Sequence, residues 1–389
     1  VTGGKFPLRG AELFAAGGEG YTATVTPWRD PVAKISPADM RESWKLCFEL
    51  LPDVSRTFAL SIMGLKEPLR GAVCISYLMC RILDTIEDAP EITAAQRWAL
   101  MEPFLACLPS GSELPPGWFK EISDRLRPRS APSDYRLLEN TGHVLRCYRA
   151  CEPSAQRAMT RWVTEMGKGM VAWSDRMGDG PGVLKVLPSL VALDRYCYYI
   201  AGTVGYLLTD LFFVSSPEID KALYFELEAD AEAFGLGLQK VNIVKDLADD
   251  FRRGWCFIPT VDLRSRGLVP CDVLDESKGV EIYEAVRPIL GSAAEHLARA
   301  WRYLTNIPLE EKEIRLFLAY SLFFALETLA FVARDPDALV RPEKLKISRL
   351  VVARLVAACN ASISRPKILE NLYRKSAAPL ARLETIVIP

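Results

Sequence analysis

Histidine is nearly absent from this chain: two residues, His143 and His296, occur in 389. That leaves no His-rich zinc site and no Ser-His-Asp triad to assemble. The sequence also lacks a GxGxxG or Walker loop, an internal repeat, and any long alternation of polar and apolar residues that would mark strands. It lacks an excess of either charge, since 48 Lys and Arg oppose 49 Asp and Glu for a formal net charge of −1. No nucleic-acid partner is expected, and any bound anion has to be held by local cations or by a metal. Ten cysteines stand without CxxC pairs or regular spacing, which argues against a disulfide framework and for a reducing cytoplasm. No signal peptide opens the sequence, and residues 1–38, rich in Gly, Pro and Thr, are expected to form a flexible arm.

What is present is apolar and helical. Half of the residues are hydrophobic and a quarter charged, the composition of a globular protein. Runs such as AVCISYLMCRILDTIED, AEAFGLGLQKVNIVKDLADDF and EIRLFLAYSLFFALETLAFVAR are too long for strands and space their polar residues three and four apart. Breakers fall between them at 109–117, 127–133 and 177–182. Two apolar stretches, 196–214 and 316–332, carry Asp210 and Glu327, and both read as buried core helices rather than membrane spans. No linker divides the chain. The expectation is an all-α fold with one domain over 39–375, a tail at 376–389, and a ligand site between facing helices.

Two acidic triplets carry the chemistry. Asp84, Glu87 and Asp88 lie at i, i+3 and i+4 at the end of an apolar run, which on a helix puts their Cβ atoms roughly 5–6 Å apart on one face. Asp246, Asp249 and Asp250 repeat that spacing, and Gln239 and Asn242 extend a polar stripe one and two turns earlier. Any one triplet alone reads as a solvated helix end. Two with the same spacing, each beside a long apolar run, point to Mg²⁺, a hard ion that commonly bridges carboxylates to phosphate oxygens. Metals there would stabilise a departing diphosphate, and an apolar, water-free cavity would protect the remaining carbocation.

These segments resemble the squalene and phytoene synthase family, most closely its squalene-forming branch. Ser55-Arg56-Thr57-Phe58 with AVCISYLMCRILDTIED is similar to the first signature, DRYCYYIAGTVG to the tyrosine segment, and GLGLQKVNIVKDLADDFRRGWCFIP to the second aspartate-rich signature with its flanks. The resemblance implies the isoprenoid synthase fold with a central apolar cavity. It implies a farnesyl-diphosphate farnesyltransferase that joins two farnesyl diphosphates through presqualene diphosphate and reduces the product to squalene with NADPH, in sterol or hopanoid biosynthesis. On that reading Asp84, Glu87, Asp88, Asp246, Asp249 and Asp250 hold Mg²⁺. Arg56, Arg81, Gln239 and Asn242 meet the substrate, and Arg56, Arg81, Lys245, Lys346 and Arg349 meet the cofactor. Tyr199 matches the acid/base tyrosine, with Tyr198 the alternative used by some relatives, while Phe58 and Phe317 match pocket-lining aromatics. Tyr196 is assigned to core packing.

The sequence departs from the family pattern in three places: Asp249 shortens an acidic side chain, Lys245 stands where eukaryotic relatives carry arginine, and Ser348 replaces an arginine beside Arg349. No hydrophobic anchor closes the sequence, as expected of a bacterial-type or shortened member. A monomer is expected, with peripheral bilayer contact through its greasy product. The rivals are a non-reductive head-to-head synthase making phytoene, dehydrosqualene or hydroxysqualene, a terpene cyclase or chain-elongating synthase, and a non-catalytic helical lipid-binding protein.

Overall fold

A computed structural model describes residues 36–89, 92–126, 131–177, 182–341 and 345–383. The chain order is α1 (Pro37–Val54), α2 (Arg56–Met63), α3 (Leu69–Glu87), α4 (Ala94–Ser110), α5 (Trp118–Leu126), α6 (Pro132–Glu139), α7 (Thr141–Ala150), α8 (Pro153–Arg176), β1 (Lys185–Val186), α9 (Leu190–Cys197) and α10 (Thr203–Ser215). It continues with α11 (Lys221–Lys245), α12 (Leu247–Arg252), β2 (Trp255–Cys256), α13 (Thr260–Ser265), α14 (Gly279–Asn306), α15 (Lys312–Arg334), α16 (Arg349–Ser362) and α17 (Pro366–Ala377). The fold is all-α, as expected. Helix begins at Pro37, two residues before the expected domain start, because Ser36 caps it by accepting from the Asp39 amide. The rest of the expected 1–38 arm lies outside the described residues, as does the end of the 376–389 tail.

Local sequence sets the helix limits. Thr93 and Gln96 form a reciprocal capping box at the start of α4, and Asp220 caps α11 through the Leu223 amide. Strand content among the described residues is one parallel two-residue pair, Lys185 with Trp255 and Val186 with Cys256. It pins the segment after α12 beside the approach to α9.

The central helices are buried on most faces. In α3, Val73, Ile75, Leu78, Met79, Ile82, Leu83 and Ile86 are all buried, and α15 is buried along nearly its whole length. α11 packs along α14, α10 and α15. Its contact with the α9–α10 segment is made backbone to backbone: a Cβ on Gly235 would lie 2.1 Å from the Ala201 carbonyl oxygen. Leu190–Ser215 and α15 are long and apolar enough to cross a membrane by length and composition, yet α15 is largely enclosed by the protein itself. Their charges are answered internally. Asp210 accepts from Trp162 Nε1 at 2.7 Å and Tyr224 Oη at 2.8 Å, and Glu327 pairs with Arg334.

Candidate active site

The helices α2, α3, α8, α10, α11 and α15 enclose a cavity of about 840 Å³. Its floor is apolar and aromatic, formed by Phe58, Ile62, Val73, Met166, Val204, Leu208, Phe234, Phe317 and Phe324. Its mouth is ionic. Asp84, Glu87 and Asp88 from the end of α3 meet Asp246 and Asp250 from the α11–α12 junction, with Gln239, Asn242, Arg81 and Lys245 between them. Lys346 and Arg349 line the same cavity from the segment entering α16.

Five of the six expected metal ligands therefore face one space. Asp249 does not. α11 ends at Lys245, and its C-cap Asp246 (φ −105, ψ 14) leaves helical geometry before α12 begins at Leu247. The Asp250 amide still donates to the Asp246 carbonyl at 2.8 Å, so this i, i+4 pair keeps to the cavity, while Asp249 lines a separate small depression, where it pairs with Arg252 at 3.0 Å. Arg81 lines the cavity but is held in a two-pronged pair by buried Asp134 of α6, at 3.0 and 2.8 Å. Lys245 pairs with Asp246 at 3.3 Å and donates to Asn242 at 3.0 Å. Arg56 opens α2, and its side chain lies outside the described residues.

The tyrosine segment is divided. Tyr198–Gly202 forms a π-helical turn between α9 and α10, a feature that recurs at functional sites. Tyr196 is buried in the cavity wall, and its hydroxyl donates to Glu87 at 3.5 Å. Tyr198 and Tyr199 are half-buried, meet edge to face at 4.9 Å, and stand between the cavity-lining Tyr196 and Ile200 rather than in the lining itself. The Tyr199 ring lies over Gly169 of α8, where a Cβ would come within 2.0 Å of it. A glycine and a π turn are thus committed to seating one phenol.

Several site residues had no local sequence signal. Tyr77 lines the cavity and pairs with Phe58 at 5.7 Å, burial pushing its hydroxyl up to about 12. Buried Arg97 of α4 stands behind the acids, donating to the main-chain oxygens of Glu87 (3.0 Å) and Ala89 (2.5 Å) and to Ser174 Oγ (2.6 Å). A cation at a helix C-terminus complements the helix dipole, and here it fixes the end of α3 that carries the acids. Lys185 also donates to Ser174 and lies 3.9 Å over the Trp255 ring. Arg97→Met strands these acceptors, and an unsatisfied buried group costs about 1–3 kcal/mol. A loss of about 3 kcal/mol in denaturant unfolding is expected.

Burial dominates the electrostatics. It pushes Asp84 up to about 7, opposed by Arg81 and aided by Asp88. It pushes Asp250 up to about 7 against the pull of Arg253. Glu87 is raised by burial and by both neighbouring carboxylates. In an unfolded chain such acids titrate near about 4, so the folded protein holds protons that the unfolded chain has lost. Their contribution to stability is complete below that value and disappears as pH rises through 7. The metal-free protein should therefore melt at a lower temperature at pH 8.5 than at pH 6. Stabilisation by Mg²⁺ with diphosphate should be larger at pH 8.5, because protons compete for the same oxygens. Thermal melts at the two pH values, with and without both ligands, check this.

The donors are all oxygen, which suits Mg²⁺. Among the described residues no three His, Cys, Asp or Glu side chains converge as a ready-made cage. An ion between α3 and α12 would thus complete its shell with water or with phosphate oxygens.

The squalene/phytoene synthase family profile matches residues 51–351. The chain belongs to the squalene/phytoene synthase family. It is 34% identical over 359 residues to the squalene synthase BSS of Botryococcus braunii, a match covering 90% of this chain and 71% of that one. To human squalene synthase it is 28% identical over 304 residues, covering 78% of this chain and 66% of the human protein. The solved structure of TcSQS with the ligand BPH1237 superposes with a TM-score of 0.70 at 25% identity, over 88% of this chain and 96% of that one. Family membership makes the chain a prenyltransferase of the isoprenoid synthase type.

Proposed function

We propose that this cavity joins two farnesyl diphosphates head to head and reduces the product to squalene. The observation that carries the reading is the meeting of two acid-bearing helix ends at the mouth of one aromatic, apolar cavity. Magnesium, when bound through Asp84, Glu87, Asp88, Asp246 and Asp250, supplies the charge neutralisation that lets an allylic diphosphate leave. Gln239, Asn242 and the basic side chains at the mouth orient the diphosphates. Phe58, Phe317 and Phe324 exclude water and present ring faces to positive charge developing at C1.

The double bond of the second farnesyl group attacks that C1, and loss of one proton closes the cyclopropane of presqualene diphosphate. We assign the first acceptance of this proton to the Tyr199 phenol, with the departed diphosphate as its final sink. NADPH, when bound along Lys346, Arg349, Lys245 and Arg81, supplies the hydride for the second half. Lys245 offers a phosphate a point charge, where an arginine would offer a fork.

The test is purified protein with farnesyl diphosphate and Mg²⁺, with and without NADPH, and products identified by mass spectrometry. Squalene is expected only with NADPH. A product pattern unchanged by NADPH overturns the reductive half and leaves a non-reductive head-to-head synthase.

A further inference from the structure

Arg253 caps the C-terminal end of α12. Its Nη1 donates to Asp88 Oδ2 at 3.1 Å, and its Nη2 donates to Asp250 Oδ1. One guanidinium thus joins the two acid-bearing elements across the cavity mouth, between residues 165 apart in sequence. The two contacts differ in kind. Asp250 is buried, with its side chain 8% exposed, and a desolvated carboxylate requires a partner. The Asp88 and Arg253 side chains are 40% and 49% exposed, and a pair that open to water is held weakly. The guanidinium is therefore placed to stay near Asp250 and exchange its outer contact readily. The carboxylate oxygens it occupies are also the ones a divalent ion between α3 and α12 would need.

We propose that Arg253 is the internal counter-ion of the metal–diphosphate site: it holds the acids of α3 and α12 together before loading, yields their oxygens to the divalent ion, and turns to the incoming diphosphate. This rests on the reading of the site given above. Two consequences follow from the exchange. A divalent ion alone binds against competition from Arg253. Diphosphate gives the displaced guanidinium a new partner, so each ligand favours the other, and the coupling is reciprocal.

The experiment is Mn²⁺ binding to the full chain, followed by electron paramagnetic resonance, with and without inorganic diphosphate, in wild type, R253Q, R253K and D250N. R253Q should bind Mn²⁺ alone about ten-fold more tightly than wild type, and diphosphate should tighten its Mn²⁺ binding about ten-fold less than in wild type. R253K, which keeps a charge without the fork, should fall between them. If R253Q instead weakens Mn²⁺ binding both with and without diphosphate, Arg253 is a structural brace and the proposal is overturned. Mn²⁺ binding in diphosphate that D250N leaves unaltered would overturn the underlying reading of the site, whatever R253Q does.

Discussion

Asp84→Asn is expected to lower kcat/KM for farnesyl diphosphate by about three orders of magnitude, the upper range for removing one preorganised group that stabilises developing charge. The substitution keeps the shape of the side chain and deletes a charge proposed to bind metal. Its sign on stability is opposite. Asp84 is an acid that burial drives up to about 7, so without metal the wild-type carboxylate is a strained charge at pH 8, and the neutral amide removes that cost. Steady-state kinetics and a metal-free melt at pH 8 on the same preparation check both signs: activity nearly gone, melting temperature equal or higher. An active-site acid maintained against stability is the usual trade. A drop in both quantities would mean that Asp84 serves the fold.

Tyr199→Phe is expected to slow presqualene diphosphate formation by about 10²–10⁴-fold, the range for a positioned general acid or base. The ring remains seated over Gly169, so farnesyl diphosphate should bind unchanged and single-turnover rates should carry the loss. Gly169→Ala acts on the same step by another route, since its Cβ would meet the ring at 2.0 Å. Tyr196→Phe removes only the hydrogen bond to Glu87, and loss of such a supporting contact costs about ten-fold. Because Tyr196 lines the cavity and Tyr199 adjoins the lining, the comparison is decisive. A near-normal Tyr199→Phe with an inactive Tyr196→Phe would move the proton to Tyr196.

What could be read from sequence depended on the reach of each interaction. The acids of α3 were legible because helical periodicity alone puts Asp84, Glu87 and Asp88 together at its end. The same arithmetic grouped Asp249 with Asp246 and Asp250 by assuming one helix through 239–250, whereas α11 stops at Lys245 and Asp249 lines a neighbouring depression. That α15 is mostly buried was legible from Glu327, whereas the stretch carrying Asp210 is only partly enclosed and the partners of Asp210 lie 48 and 14 residues away. Arg81 matched a phosphate-binding position by resemblance, but its pairing with Asp134, 53 residues distant, had no local sign. Arg97 gave no signal either: nothing in α4 marks one arginine as the donor to the main chain ending α3. Arg253, three residues past Asp250, had no local sign of its reach to Asp88 on α3. Pairings local to one turn were visible in the sequence, and those closed by the tertiary fold were not.

The central claim is that the ends of α3 and α12 grip one diphosphate through divalent ions. Its most direct test is a crystal structure of the full chain with Mn²⁺ and the non-ionising substrate analogue farnesyl thiodiphosphate, with manganese located by anomalous scattering. The expected result is manganese between Asp84 or Asp88 on one side and Asp246 or Asp250 on the other, with diphosphate oxygens completing each shell and the farnesyl chain running toward Phe317. Manganese and diphosphate found away from both acid-bearing ends, with Arg253 still bridging Asp88 and Asp250, would contradict it.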